Sequence, residues 1–75
     1  MNETRTYSFT VSGMQCSGCG VLIDEVLEEV AGVHRSQTSV LAGRTVVDVD
    51  PAVADPDTLA AVIASIGYTV RRDAL

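Results

Sequence analysis

Cys16 and Cys19 are the two cysteines of the chain, and they sit in Gly13-Met14-Gln15-Cys16-Ser17-Gly18-Cys19, where a strand-like run passes into a helix-like one. Two thiols at this spacing can converge on one ion. The first turn of a helix adds unpaired N–H groups and a positive dipole end, both of which favour the thiolate over the thiol. The chemistry expected is capture of a soft metal. Structural zinc asks for four ligands and catalytic zinc for three plus water. Here no carboxylate flanks the pair, Asp24 being the nearest acid. Two-coordinate Cu(I) therefore fits best, and Hg(II) satisfies the same softness argument. A Cys-x-x-Cys pair also serves thiol–disulfide oxidoreductases, which stand as the redox alternative. A structural disulfide is a poor account, because the loop it would close is short.

The residues around the pair have readable roles. Gly13 and Gly18 are expected to adopt backbone conformations closed to residues with a Cβ, which turns the chain so that both sulfurs reach one side. Met14 is expected to pack and anchor the loop, although its thioether is itself a soft ligand. Tyr68 either places its hydroxyl near the sulfurs or caps the core.

Hydropathy patterning supplies the elements that must position these residues. Tyr7, Phe9 and Val11 alternate with polar neighbours from Thr6 to Val11, the period of a half-buried strand. Ile23, Val26, Leu27 and Val30 recur at helical spacing from about Ser17 to Ala31, ahead of a stop at Gly32. Two alternating runs follow, Ser36 to Val40 and Thr45 to Val49, joined by the turn Leu41-Ala42-Gly43-Arg44. The first is weak, with Ser36 and Thr38 at inward positions. Asp55-Pro56-Asp57 reads as an acidic N-cap, a proline at the first helical position and an acid in the first turn. A second helix then carries Leu59, Val62, Ile63 and Ile66 to Gly67. Tyr68 to Val70 forms a short last strand, and Arg71 to Leu75 reads as a frayed tail. The order is βαββαβ.

Following the chain up and down through that order places the Cys loop, the Leu41–Arg44 turn and Tyr68 at one end. His34, the only histidine, falls in a solvent-exposed turn at the other end, one helix length away, which argues against its being a ligand.

Length and charge narrow the function classes. Seventy-five residues make one small domain, 1–75, with no room for a separate catalytic unit. The net charge of −5, with five arginines and no lysine, argues against nucleic acid and anionic membrane surfaces. The polar start from Met1 to Tyr7 is unlike a signal peptide, so a cytoplasmic protein complete from Met1 is expected. Asp24, Glu25, Glu28 and Glu29 are expected to face away from the apolar stripe of the first helix, as a solvated face or as a docking patch for a basic partner. Val21 and Leu22 follow the Cys loop off that stripe, and either present an apolar docking spot or lie under the hairpin turn. No constellation for acid, base or nucleophilic catalysis is present, so no enzyme is expected.

The run Gly13-Met14-Gln15-Cys16-Ser17-Gly18-Cys19, the following helix with Ile23 and Leu27, Gly32-Val33, Asp50-Pro51 and Gly67-Tyr68 together resemble the heavy-metal-associated domain family over about Tyr7 to Val70. Within the family the chain looks most like the free-standing bacterial copper chaperones. The resemblance implies an α+β, ferredoxin-like βαββαβ sandwich: a four-stranded antiparallel sheet with two helices on one face. It implies Cys16 and Cys19 as Cu(I) ligands, Met14 and Gly13 as support for the loop, and Tyr68 as the aromatic neighbour of the site. It also implies transfer of copper by thiolate exchange to the metal-binding domain of a copper-transporting P-type ATPase, with a copper-responsive repressor as a second partner. The protein would be a monomer without metal, with a copper-bridged dimer open to it. A mercury- or zinc/cadmium-binding domain of a metal-resistance system is the alternative. Ser17-Gly18 departs from the His or Ala that family members often carry between the cysteines.

Overall fold

The computed structural model describes residues 3–14 and 17–73. It contains six elements in the order β1 (Arg5–Ser12), α1 (Ser17–Glu28), β2 (Val33–Ser39), β3 (Arg44–Val49), α2 (Pro56–Ser65) and β4 (Thr69–Arg72). The strands form one antiparallel sheet in the order β2-β3-β1-β4. This is the expected α+β, ferredoxin-like arrangement.

Alternation in β1 and β3 makes one sheet face apolar, and the two helices cover that face. Phe9, Val11, Val47 and Val49 from the strands meet Ile23 and Leu27 of α1 and Leu59 and Ile63 of α2 in a single buried cluster. Each such side chain stabilises the fold by about 1.5–3 kcal/mol relative to leaving it exposed. The opposite sheet face is polar: Thr6 Oγ1 donates to Asp48 Oδ1 at 2.7 Å, and Ser8 Oγ donates to Asp73 Oδ2 at 2.6 Å.

Several strand ends differ from the sequence reading by one residue, and three boundaries differ by more. Helix α1 ends at Glu28 rather than near Ala31, because Val30 N turns back to Leu27 O at 3.0 Å. The chain then reverses at Gly32, whose φ of 91° is in the left-handed region and which packs so closely on Val53 that a Cβ there would come within 2.8 Å of Val53 Cβ.

Strand β2 begins at Val33, earlier than Ser36, and His34 lies within it rather than in a turn. The cause is a register shift between Val33 and Arg35. With one extra residue in the strand, Val33 and Ser36 both face inward although three positions apart, which defeats a period of two. His34 is exposed at the start of β2, at the far end of α1 from Cys19.

The expected frayed tail is the third correction. Arg71 and Arg72 belong to β4, paired with Thr10 and Phe9 of β1. Asp73 then locks the strand, accepting hydrogen bonds from the Ser8 and Thr10 hydroxyls and pairing with Arg44 Nε at 3.3 Å. Those hydroxyls, with the guanidinium of Arg44 as a smaller influence, hold the Asp73 carboxyl below its ordinary range. Residues 74–75 of that tail lie outside the described residues.

Candidate metal centre

Strand β1 ends at Ser12 and the chain turns through Gly13, whose φ of 99° suits a glycine. Beyond it Met14 is half-buried and packs against the core, as expected of a loop anchor. Tyr68, arriving just before β4, also packs against the core and lies beside the turn: a Cβ on Gly13 would be 3.7 Å from Tyr68 Cδ1. The hairpin turn closes on the same end, with Val11 N donating to Gly43 O at 2.8 Å. Gly13, Met14, Tyr68 and the β2–β3 turn are thus brought together.

Cys19 sits half-buried in the first turn of α1. Cys16, the other expected ligand, lies outside the described residues. The first turn of α1 contains no acid, so its dipole is not already answered by a carboxylate of its own. Among the described residues no group of three or more His, Cys, Asp or Glu side chains could hold a metal ion.

Two neighbours behave differently from expectation. Gly18 is helical with no positive φ, and a Cβ there would meet nothing within 4 Å, so it does not serve as a special turn residue. Asp24 does not face solvent with the other acids. Its carboxylate accepts hydrogen bonds from Ser36 Oγ and Thr38 Oγ1, both at 2.7 Å, and from Thr38 N at 3.3 Å. Thr38 Oγ1 also lies 2.9 Å from the fully buried Thr45 hydroxyl. The inward hydroxyls that made β2 look weak are the partners of this carboxylate. Removing Asp24 from the acidic face leaves Glu25, Glu28 and Glu29 exposed there.

Val21 and Leu22 do not lie under the hairpin turn. They are 59% and 43% exposed, just past Cys19. Leu41, at the hairpin tip, is fully exposed. All five arginines lie on strands, so no basic side chain within α1 offsets its acids.

Gly20 was not singled out by sequence reading. It is buried, and α1 passes so close to the end of β2 and the start of the following turn that a Cβ would stand 3.3 Å from Thr38 Cγ2 and 3.1 Å from Val40 Cγ2. The available signal was a glycine, a weak helix former, inside a strongly periodic helical run.

The heavy-metal-associated domain matches residues 8–69. The chain is 35% identical over 66 residues to a zinc-transporting ATPase of Synechocystis sp., covering 88% of this chain and 9% of the ATPase. It is 38% identical over 58 residues to a mercuric reductase of Serratia marcescens, covering 77% of this chain and 12% of the reductase. The chain thus spans about a tenth of the length of these two relatives. The crystal structure of a copper-binding domain from HMA7, a P-type ATPase, superposes with a TM-score of 0.90 at 26% identity, covering 93% of this chain and 95% of that domain. Because the family model spans residues 8–69, most of the chain, the chain belongs to the heavy-metal-associated domain family, whose domains bind metal and are non-catalytic.

Proposed function

We propose that this domain binds one Cu(I) through Cys16 and Cys19 and passes it by thiolate exchange to the metal-binding domain of a copper-transporting P-type ATPase. The observation that carries the reading is Cys19 on an acid-free first turn of α1, three residues after a second cysteine. A helix N-terminus favours bound negative charge, which here would be thiolate. Two sulfurs without imidazole or carboxylate match soft Cu(I) in low coordination better than zinc. Asp24, the nearest acid, is committed to β2, and His34 is at the far end of α1. The likeness to a copper-binding ATPase domain supports the choice of metal.

Transfer follows from coordination number. A two-coordinate ion accepts a third thiolate from the partner before it releases an original one: a Cu–S bond forms to the incoming cysteine, then a Cu–S bond to Cys16 or Cys19 breaks. The metal stays bound throughout. Met14, Gly13 and Tyr68 support the loop from the core side. Val21 and Leu22, with Glu25 and Glu28 beside them, form the docking face for a partner with a basic rim. No helix among the described residues is long and apolar enough to cross a membrane, and the proposed setting is the cytoplasm. The whole chain, 1–75, acts as one domain, a monomer without metal, with a copper-responsive repressor and a copper-bridged dimer as further associations.

A mercury- or zinc-handling role is the second reading, because relatives with those names match at 38% and 35% identity. Anaerobic titration of the reduced protein with Cu(I) against a competing chelator, with Zn(II) and Hg(II) in parallel, decides between them. The expected result is stoichiometric Cu(I) binding far tighter than zinc, lost in Cys16→Ser and in Cys19→Ser with the fold intact. Tighter zinc binding, or a single mutant with undiminished copper affinity, overturns it.

A further inference from the structure

We infer that Gly20 is a positioning residue for Cys19, acting through the seat it forms on β2; the inference rests on Cys16 and Cys19 being the ligand pair. Gly20 directly follows Cys19 in the first turn of α1. It is buried against Val40 and Thr38 at separations that leave no comfortable room for a Cβ. Asp24 lies four residues on, and residues at i and i+4 share a helix face. There it accepts hydrogen bonds from Ser36 and from both the hydroxyl and the amide of Thr38. Thr38 is therefore held from above by Gly20 and from one turn along by Asp24. The two helix residues form a seam beside the core stripe of Ile23 and Leu27, and the seam fixes the height of the first turn over the sheet.

A glycine in a helix is intrinsically unfavourable relative to alanine. At position 20 the close approach explains it. At position 18, on the other side of Cys19, a Cβ would point into open space. The two glycines thus flank the same cysteine in the same turn and differ in whether the sheet lies against them. A methyl at 20 requires the Val40 and Thr38 methyls to give by a few tenths of an ångström; Thr38 is tied to Asp24 and Thr45, so under this proposal the helix backbone carrying Cys19 yields instead. Adding one at 18 moves nothing. Two sulfurs sharing one small ion, or one disulfide bond, depend on their separation, so a lift of a few tenths of an ångström registers in the chemistry of the pair before it registers in the fold.

The test compares Gly20→Ala, Gly18→Ala and the double variant Gly20→Ala/Val40→Ala with the parent chain, in two assays. The first is Cu(I) affinity by chelator competition. Gly20→Ala weakens it by about tenfold, the lower end of what losing a ligand-orienting contact costs a metal site. Gly18→Ala keeps the parent affinity, and Val40→Ala in the double variant restores most of the loss by making room. The second assay needs no metal: equilibration of the Cys16/Cys19 dithiol and disulfide with a glutathione redox buffer, in which Gly20→Ala shifts the midpoint and Gly18→Ala does not. Thermal unfolding of the metal-free proteins accompanies both, since a merely structural role would change stability and leave both assays at the parent value. Parent-like behaviour of Gly20→Ala in both assays overturns the inference, as does a Gly20→Ala loss that Val40→Ala fails to relieve. Absence of Cu(I) binding by the parent chain would sink the copper reading alone, and the glutathione midpoint would still decide the role of Gly20.

Discussion

Helix α2 opens with Asp55, Pro56 and Asp57, whereas the described part of the first turn of α1 opens with Ser17, Gly18, Cys19 and Gly20. In α2 three local devices for starting a helix are present. Asp55 Oδ1 accepts the Thr58 amide at 2.7 Å, proline occupies the first turn, and a further acid answers the dipole. The bond from the Thr58 amide, aided by the Thr58 hydroxyl, holds the Asp55 carboxyl below its ordinary range. The start of α1 has two glycines and no acid, so its local sequence does little to hold it. Its hold comes from elsewhere in the chain, through Gly20 seated on Val40 and Thr38 and through Asp24 bound to Ser36 and Thr38. The helix built to stay folded uses its positive end on its own carboxylate. The helix that carries Cys19 has no acid in its first turn and takes its position from the sheet.

Four measurements test this contrast, beginning with what the helices share. Both rest on the same core, so Leu27→Ala in α1 and Ile63→Ala in α2 should each cost about 2–5 kcal/mol in urea unfolding. A much smaller cost for Leu27→Ala would mean that α1 is held by its polar seam alone. Next comes the seam. Asp24→Ala leaves the buried Ser36 hydroxyl without its acceptor, and should cost about 1–3 kcal/mol in the same assay. Asp24→Asn, which keeps an accepting oxygen, should recover part of the loss; a stability equal to the parent chain in Asp24→Ala would break the contrast.

The exposed cap comes third. Asp55→Ala should lower the thermal midpoint by less than Asp24→Ala does, and should leave Cu(I) affinity unchanged, because α2 carries no ligand of the proposed site. The smallest effect is that of acid. The folded pKa values of Asp55 and Asp73 both lie below the ordinary 3.8. Folding therefore favours their ionised forms, and their contribution is complete above the unfolded value and disappears as pH falls through the depressed folded values. Denaturant midpoints followed downward from pH 5 should fall more steeply for the parent chain than for Asp55→Asn/Asp73→Asn. Parallel profiles would remove these two carboxylates from the acid response.

What the sequence made legible was what depends on local pattern. The alternation of Tyr7, Phe9 and Val11, the helical spacing of Ile23 and Leu27, and the Asp55-Pro56-Asp57 start all carry their explanation within a few residues. The features that escaped depend on contacts across the fold. Asp24 reads as one more surface acid, because its partners are the hydroxyls of Ser36 and Thr38 in a separate element, β2. Arg71 and Arg72 looked like a tail, because their pairing with β1 and the anchoring of Asp73 by Ser8 and Thr10 join residues some sixty positions apart. The bulge at His34 hid the start of β2 by changing the phase of its pattern. At the site, the cysteine spacing and the neighbourhood of Gly13 and Tyr68 could be read from element order. The seat of Gly20 could not, since the side chains of Thr38 and Val40 that press on it come from a segment some twenty positions away.

The hydrogen bond from Thr38 N to Asp24 Oδ2 has a consequence for assembly. β2 is an edge strand, and an unpaired edge amide is an invitation to a strand from another molecule. By taking up that amide from the side, Asp24 blunts the last part of the edge, and the bulge at His34 disrupts its beginning. A strand from a neighbouring chain is thereby turned away from pairing along β2 at both ends of that edge, so the carboxylate that seats the helix also guards the sheet.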